Sequence, residues 1–504
     1  MAVRGTAKAD GTLAAREKAK LRKVLRRFDL VLFTACAIVG LDSVAAAAKS
    51  GAQAVTWLAL SLVIFLIPYG MIVAELGTTF PVEGGPYEWV RMAFGRAAGA
   101  VTSILYWLSN PLWIGGTLSA ATISAIDAFV VGRPLGTLAE IAVGLIFTWI
   151  TVGVAIIAFH IGKWGPSIGT LVKAGVVLLF AVILIGHIVW HGRPAGASSV
   201  ADLRPSLNGF LATVGILVFM WVGFELSSGA AEEMHNPQRD VPVMILRSGV
   251  VSALMYGAMI VGIVLVIPKT SLTSVGGFDD AFRAVAAPLH SRPLEMVFAV
   301  GVIVTLAGSG AAWLEGADRT QAIAALDGAA PAWMGRFTSF GTPISVNLSS
   351  GAVSSVMCVF VFVTTRGSLA NFFSIMLALN VSTAALAYLL IFPSLIILRR
   401  RYPEVTRPYR LPGGPAAAWG AVILTELFVV VTMVTMLWPG AINAMFGRPY
   451  SVETSWGVSR TFFEEVTLGS FAMVVMLGLA FWAIGGRKRR SGLTGIMISA
   501  AEKD

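Results

Sequence analysis

Apolar runs of about twenty residues recur along the whole chain, each closed by a short stretch of charged residues, glycine or proline. A helix of ~20 apolar residues crosses the ~30 Å hydrocarbon core of a bilayer. On that measure the pattern predicts spans at 30–50, 54–79, 97–131, 138–159, 167–190, 208–231, 246–267, 295–319, 345–365, 371–398, 417–438 and 463–485. The runs lack the period-two alternation of membrane barrel strands, and a segment surrounded by lipid must satisfy its own backbone. The expected fold is therefore an all-α membrane protein with twelve transmembrane helices. It divides into a polar tail at 1–29, a ten-helix core at 30–398, a further helix pair at 417–485 and a second tail at 486–504.

Composition agrees with lipid as the solvent: the chain has 504 residues, 56% hydrophobic and only 13% charged, against ~25% charged in a soluble domain. Of the 37 Lys and Arg, about 26 fall on the face that carries both termini, about 10 on the other, and one, Lys173, inside a span. Positive charge near helix ends is retained in the cytoplasm, so both termini are expected there. The net charge of +10, with its basic stretches Arg16–Arg27 and Arg487–Arg490, is read as this topology signal and not as a nucleic-acid footprint. Cys36 and Cys358 both lie in expected spans, as small core residues with no disulfide framework. The polar start and the length of the first run do not fit a cleaved signal peptide, so that run is expected to remain as helix 1. The glycosylation sequons at Asn347 and Asn380 fall within spans and are discounted.

Two spans carry polar residues and glycine near their middles: Val39-Gly40-Leu41-Asp42-Ser43 in the first and Trp221-Val222-Gly223-Phe224-Glu225 in the sixth. Interrupted helices at matching places in two halves mark inverted-repeat transporters, whose substrate meets unwound backbone at mid-membrane. Glycine also permits close helix packing, which is explanation enough for either span alone. A carboxylate beside each glycine favours function, because intramembrane charge is costly and concentrates where it is used. No long hydrophilic stretch leaves room for a nucleotide-binding domain, and Glu83-Gly84-Gly85-Pro86 has the residues of a tight turn without a phosphate-binding Lys-Ser/Thr. The driving force is then a gradient or exchange. His160, His187, His191, His235 and His290 show no ligand spacing, so neither a metal nor another cofactor is expected.

Four segments that flank the spans are long enough to be specific: Ala74–Gly95 (AELGTTFPVEGGPYEWVRMAFG), Ala231–Pro242 (AEEMHNPQRDVP), Gly316–Pro343 (GADRTQAIAALDGAAPAWMGRFTSFGTP) and Leu398–Gly414 (LRRRYPEVTRPYRLPGG). Each resembles a cytoplasmic signature of the amino acid/polyamine/organocation transporter family, in family order. The resemblance implies a LeuT-like fold of two inverted five-helix repeats, 30–190 and 208–398, followed by two accessory helices. It also implies transport of an amino acid or related organic amine through the cell membrane, with proton coupling or exchange, and no enzymatic activity. A transporter-like sensor that binds without moving its substrate has the same sequence signature.

In the family the break in helix 1 usually reads Gly-Ser/Ala-Gly, whose bare N–H groups receive a substrate carboxylate. Here Gly40 is followed by Leu41, Asp42 and Ser43, so a carboxylate stands where backbone is normally presented. An ionised Asp42 facing the site would attract an ammonium and repel a carboxylate, which favours an amine, a polyamine or an amino acid in an unusual orientation. The alternatives are that Asp42 or Ser43 caps the outer half-helix, or that Asp42 is protonated. In helix 6, Val222, Gly223 and Glu225 follow the family's Gly-x-Glu, with Glu225 as a buried carboxylate linking occupancy to gating or as a structural hydrogen-bonded acid. Phe219 resembles the aromatic gate of the arginine/agmatine exchanger and Trp313 its helix-8 aromatic, although single aromatics often serve only packing. Lys173 matches the helix-5 lysine of members that do not use sodium, where it replaces an ion. It either couples transport to protons or reaches as a fixed charge toward the cytoplasm. Glu75 is expected to be structural, Glu315 is a secondary candidate, and Tyr106 and Asn110 either face the pathway or bond between helices.

Overall fold

The computed structural model describes residues 26–161, 164–192, 200–339, 341–456 and 458–485, and among them every regular element is helical. The first apolar run is divided. Helix α1 (Arg27–Ile38) ends at Val39, and α2 (Val44–Ala48) begins after the non-helical Gly40–Ser43. There follow α3 (Gln53–Thr79), the short α4 (Pro86–Phe94), α5 (Arg96–Val131), α6 (Thr137–Ile157) and α7 (Ser167–His191). The sixth expected span is also interrupted: α8 (Leu207–Trp221) stops at Val222, and tight 3-10 turns run from Phe224 to Glu233. Then come α9 (Pro237–Val266), the short α10 (Gly277–Ala286), α11 (Arg292–Leu326), α12 (Ile344–Thr364), α13 (Leu369–Arg401), α14 (Gly414–Leu437) and α15 (Arg460–Gly485).

Eleven helical segments among the described residues are long and apolar enough to cross a membrane, the sixth expected span counted through its break as Leu207–Ala231. The expected span 30–50 is not among them because its two pieces are each too short, which is the physical meaning of its polar centre. Two helices outrun their expected ends. Pro237, suited to the first turn of a helix, starts α9 nine residues before the expected 246, and α11 continues seven residues past 319. The α9 extension carries a charge whose partner is a protein group, Asp240 accepting from Arg27 Nε at 2.7 Å; at the expected end of α11, Arg319 Nη2 donates to the Gly341 carbonyl at 2.9 Å. Exposed apolar residues on α7, including Leu171, Leu178, Val182, Ile185 and Val189, recur at helical spacing on one side. Such a stripe is at home against lipid.

The four signature segments meet on the face where α1 begins. Glu75 at the end of α3 accepts from Arg399 of α13, lies 3.5 Å from Arg407 and accepts the Leu411 N–H at 2.7 Å. Tyr87 of α4 donates to Asp327 at 2.6 Å, beside Arg91, which pairs with Glu88 at 2.6 Å. Charged loops that were far apart in sequence thus form one ionic layer closing this end of the bundle, and Glu75 is a structural residue of it.

At the opposite end, α10 packs on α2, α7 and α9. Its Asp279 is buried and accepts from the Ser124 hydroxyl at 3.0 Å; burial pushes its carboxyl up to about 7, with Ser124, Asp280 and Arg283 as smaller influences. An unfolded aspartate titrates near ~3.9, so here the protonated form favours the folded state. The contribution is full below that value and is lost as pH rises through about 7, amounting to on the order of 4 kcal/mol. We expect α10 to loosen between roughly pH 5 and 8 and Asp279→Asn to hold it at either pH. Hydrogen exchange over 277–286, corrected for intrinsic rate, checks this; equal protection at both pH values in the wild type contradicts it.

Candidate substrate site

The two interruptions face each other at the centre of the bundle. Gly223 has φ +130°, open to glycine and strained for other residues. A Cβ there would lie 3.1 Å from Ile38 Cγ1 and 3.4 Å from the Trp313 ring, so the turn after α8 sits directly on the end of α1. Gly40 is needed for a different reason: a Cβ there would lie 2.7 Å from Asp42 Oδ1, because the Asp42 side chain folds back over it. Tyr256 of α9 pins this break, accepting from the Gly40 N–H at 2.9 Å and donating to the Ile38 carbonyl at 2.6 Å.

Asp42 is buried. Its Oδ2 accepts from Trp113 Nε1 at 2.8 Å and Thr117 Oγ1 at 2.6 Å, both on α5, while Oδ1 has no hydrogen-bond partner among the described residues. The carboxylate therefore turns to α5 and does not cap α2, whose N-cap position is Ser43; neither residue makes a side-chain cap there. The Ser43 hydroxyl donates instead to the Gly40 carbonyl at 3.4 Å. Leu41 and Val222 are buried on the two breaks.

Aromatic rings enclose this centre. Trp113 lies edge-on to Phe219 at 5.9 Å and to Trp313 at 6.0 Å, and Tyr106 is 5.9 Å from Trp313. Trp313 Nε1 donates to the Ala37 carbonyl at 3.0 Å, which fixes that ring against α1. Both tryptophans stand immediately before widened π-type turns, Ile114–Leu118 and Leu314–Asp318. Such turns are rare and gather at functional sites. Glu315 is buried in the second of them.

Glu225 is fully buried and receives three phenols: Tyr106 at 2.8 Å and Tyr388 at 2.7 Å on Oε1, and Tyr69 on Oε2. The Tyr69 hydroxyl in turn accepts the N–H groups of Gly223 and Phe224, each at 2.8 Å. The carboxylate is thus tied through one phenol to the backbone of the second break. Lys173 is fully buried as well and turns inward, away from water. Its ammonium donates to the Cys36 and Val39 carbonyls and to Ser309 Oγ on α11 at 2.7 Å. Those carbonyls form the C-terminal end of α1, the negative end of its dipole.

All ten sequence-predicted site residues therefore gather at the two breaks, with Lys173 at the end of α1. Tyr106 joins them, and Asn110 lies beside Asp318 instead. Reading the sequence missed Trp113, Thr117, Tyr256, Tyr69, Tyr388 and Ser309. They stand on helices whose breaks or charges gave no signal, though Trp113 and Thr117 flank a Gly-Gly pair that hints at an irregular turn.

An all-helical membrane protein with two facing helix breaks around a carboxylate and an aromatic enclosure has the construction of a solute carrier. Comparison with known proteins gives the family. The model for "Amino acid permease" matches residues 25–452. An uncharacterised transporter of Legionella pneumophila is 32% identical over 403 residues, covering 78% of this chain and 85% of that protein. A probable agmatine/putrescine antiporter of Lactococcus lactis is 27% identical over 413 residues (81% and 86%), and a methylthioribose transporter of Bacillus subtilis is 23% identical over 429 residues (80% and 87%). The chain belongs to the amino acid/polyamine/organocation transporter family.

Proposed function

We propose that this protein is a secondary transporter that moves an amino acid or related organic amine across the cell membrane by alternating access, without enzymatic chemistry. The observation that carries the reading is the meeting of the two breaks, at Gly40–Ser43 and Val222–Gly223, around Asp42 and the rings of Trp113, Phe219 and Trp313. On this reading α1 and α2 make one crossing, twelve in all, with both ends cytoplasmic where Lys and Arg are concentrated. The breaks then occupy the first helix of each of two inverted repeats, 30–190 and 208–398, in a LeuT-like arrangement with α14 and α15 as accessories.

The substrate's ammonium is read by Asp42 Oδ1, the carboxylate oxygen with no hydrogen-bond partner among the described residues. Unit charges ~4 Å apart at an effective dielectric near 20 interact by about 4 kcal/mol, nearly three decades in affinity. The surrounding rings favour a cation or an aliphatic stem. The name of the Lactococcus relative supports an amine; the family description supports an amino acid. Lys173 supplies at the end of α1 the positive charge that a coupling sodium would otherwise bring, so transport is sodium-independent and runs on protons or exchange. Uptake into proteoliposomes of agmatine, putrescine and a panel of amino acids, under imposed pH or sodium gradients, tests the reading, and accumulation separates a transporter from a sensor. Asp42→Asn is expected to weaken amine uptake at least tenfold. Unchanged selectivity, or accumulation driven by sodium, overturns the corresponding assignment.

A further inference from the structure

Below the aromatic enclosure, one more intramembrane acid is unaccounted for. Asp318 of α11 is fully buried. Its Oδ1 accepts from Ser350 Oγ of α12 at 2.9 Å, and that hydroxyl accepts from Trp107 Nε1 of α5 at 2.8 Å. Asp318 Oδ2 has no hydrogen-bond partner among the described residues, and neither does the side chain of Asn110, which lies beside it one turn along α5 from Trp107. Pro111 follows. Lacking an N–H, it leaves the Trp107 carbonyl without its regular helical donor.

The groups that bond to Asp318 or lie beside it are neutral, Trp107 and Asn110 on α5 and Ser350 on α12, while the 224–233 turns packed on the same stretch bring Glu225, already held by its three phenols. On its own helix Glu315 lies about one turn before it, and the neighbouring Arg319 directs its guanidinium to the Gly341 carbonyl and to Glu83, 3.5 Å away. A carboxylate in the bilayer is costly unless a cation or a full set of donors meets it. Glu225 has three phenol donors and Lys173 has three acceptors, so each is satisfied by protein. Asp318 is built differently: its Oδ2 has spare acceptor capacity, and the groups beside the carboxyl on α5 and α12 are neutral.

We propose that Asp318, with Asn110 and Ser350, binds one proton, which is taken up and released during the transport cycle. This rests on the transport reading above and gives the coupling role to Asp318, with Lys173 as the fixed charge. The step is reversible: Oδ2 gains an O–H bond to a proton supplied by water on one side, and returns it to water on the other.

Two measurements on the full chain test it. The pH dependence of thermal stability of the purified protein, measured at matched NaCl and KCl, is expected to show a titration step in the wild type that is lost in Asp318→Asn. In proteoliposomes with agmatine, putrescine and alanine as probes, Asp318→Asn is expected to reduce gradient-driven accumulation at least tenfold and to leave exchange without a gradient within about twofold. Ser350→Ala, which keeps the carboxylate, should shift the midpoint of the titration step and so serves if Asp318→Asn does not fold. A response identical in the wild type and both variants makes Asp318 a structural hydrogen-bond acceptor only and overturns the proposal. Absence of both accumulation and exchange in the wild type removes the transport reading instead, and the stability titration still decides the proton site.

Discussion

Glu225→Ala is expected to abolish measurable uptake, a loss of at least a hundredfold in initial rate, while Glu225→Gln loses at least tenfold. The alanine leaves three buried phenols without an acceptor, at about 1–3 kcal/mol each. The glutamine case is more informative. Its carbonyl oxygen can still accept from Tyr106 and Tyr388, which share Oε1, but an NH2 replaces the oxygen that takes the Tyr69 proton. Tyr69 already accepts from the Gly223 and Phe224 N–H groups, so donor faces donor and the latch on the second break opens. Tyr69→Phe removes the same latch from the other side. The double variant Tyr69→Phe/Glu225→Gln should therefore be no worse than the poorer single one, the signature of two residues acting as a unit. Uptake in proteoliposomes, read beside thermal unfolding to exclude misfolding, decides it; wild-type rates in Glu225→Gln would show that the carboxylate does not hold the turn.

That latch also shows where the sequence was legible. Gly40 and Gly223 announced both breaks because a polar, glycine-bearing centre cannot continue as an ordinary membrane helix, and both were found divided there. The partners of Asp42 and Glu225 were silent for the opposite reason. Trp113, Tyr69 and Tyr388 lie in unbroken apolar helices, where an aromatic that donates a hydrogen bond and one that only packs look the same in one dimension. Helix ends failed in a third way. Charged residues were expected to leave the membrane, so the seventh span was cut at 246, yet Asp240 continues as helix because a protein group, Arg27, and not water, receives it. Hydropathy detects lipid; it cannot tell a lipid-facing turn from one enclosed by neighbouring helices. Asp318 fell inside the expected span 295–319 and was passed over because nothing in one dimension tells which neighbours meet its side chain.

Lys173→Met is expected to destabilise the protein by on the order of 3–5 kcal/mol and to stop transport. Methionine matches the length of the side chain but donates nothing. The Val39 carbonyl, at the end of α1, loses its charged donor and the Cys36 carbonyl keeps only the Ser309 hydroxyl at 3.1 Å, and an unsatisfied buried group costs about 1–3 kcal/mol. The negative end of the α1 dipole is also left without its cation. Because the same ammonium reaches Ser309, its loss releases α1 from α7 and α11 together, and the first break from its anchor. Lys173→Ala separates charge from packing. It leaves two carbonyls and a hydroxyl around the space of the lost side chain, a set of oxygens suited to a small hard cation. Sodium at millimolar concentration should then raise the Tm of Lys173→Ala by a few degrees over potassium, and leave the wild type unmoved because its own ammonium already occupies those oxygens. A thermal melt series in matched chloride salts makes the comparison. If Lys173→Met melts with the wild type, the lysine is not the pin of α1, and the sodium independence proposed for this carrier loses its structural cause.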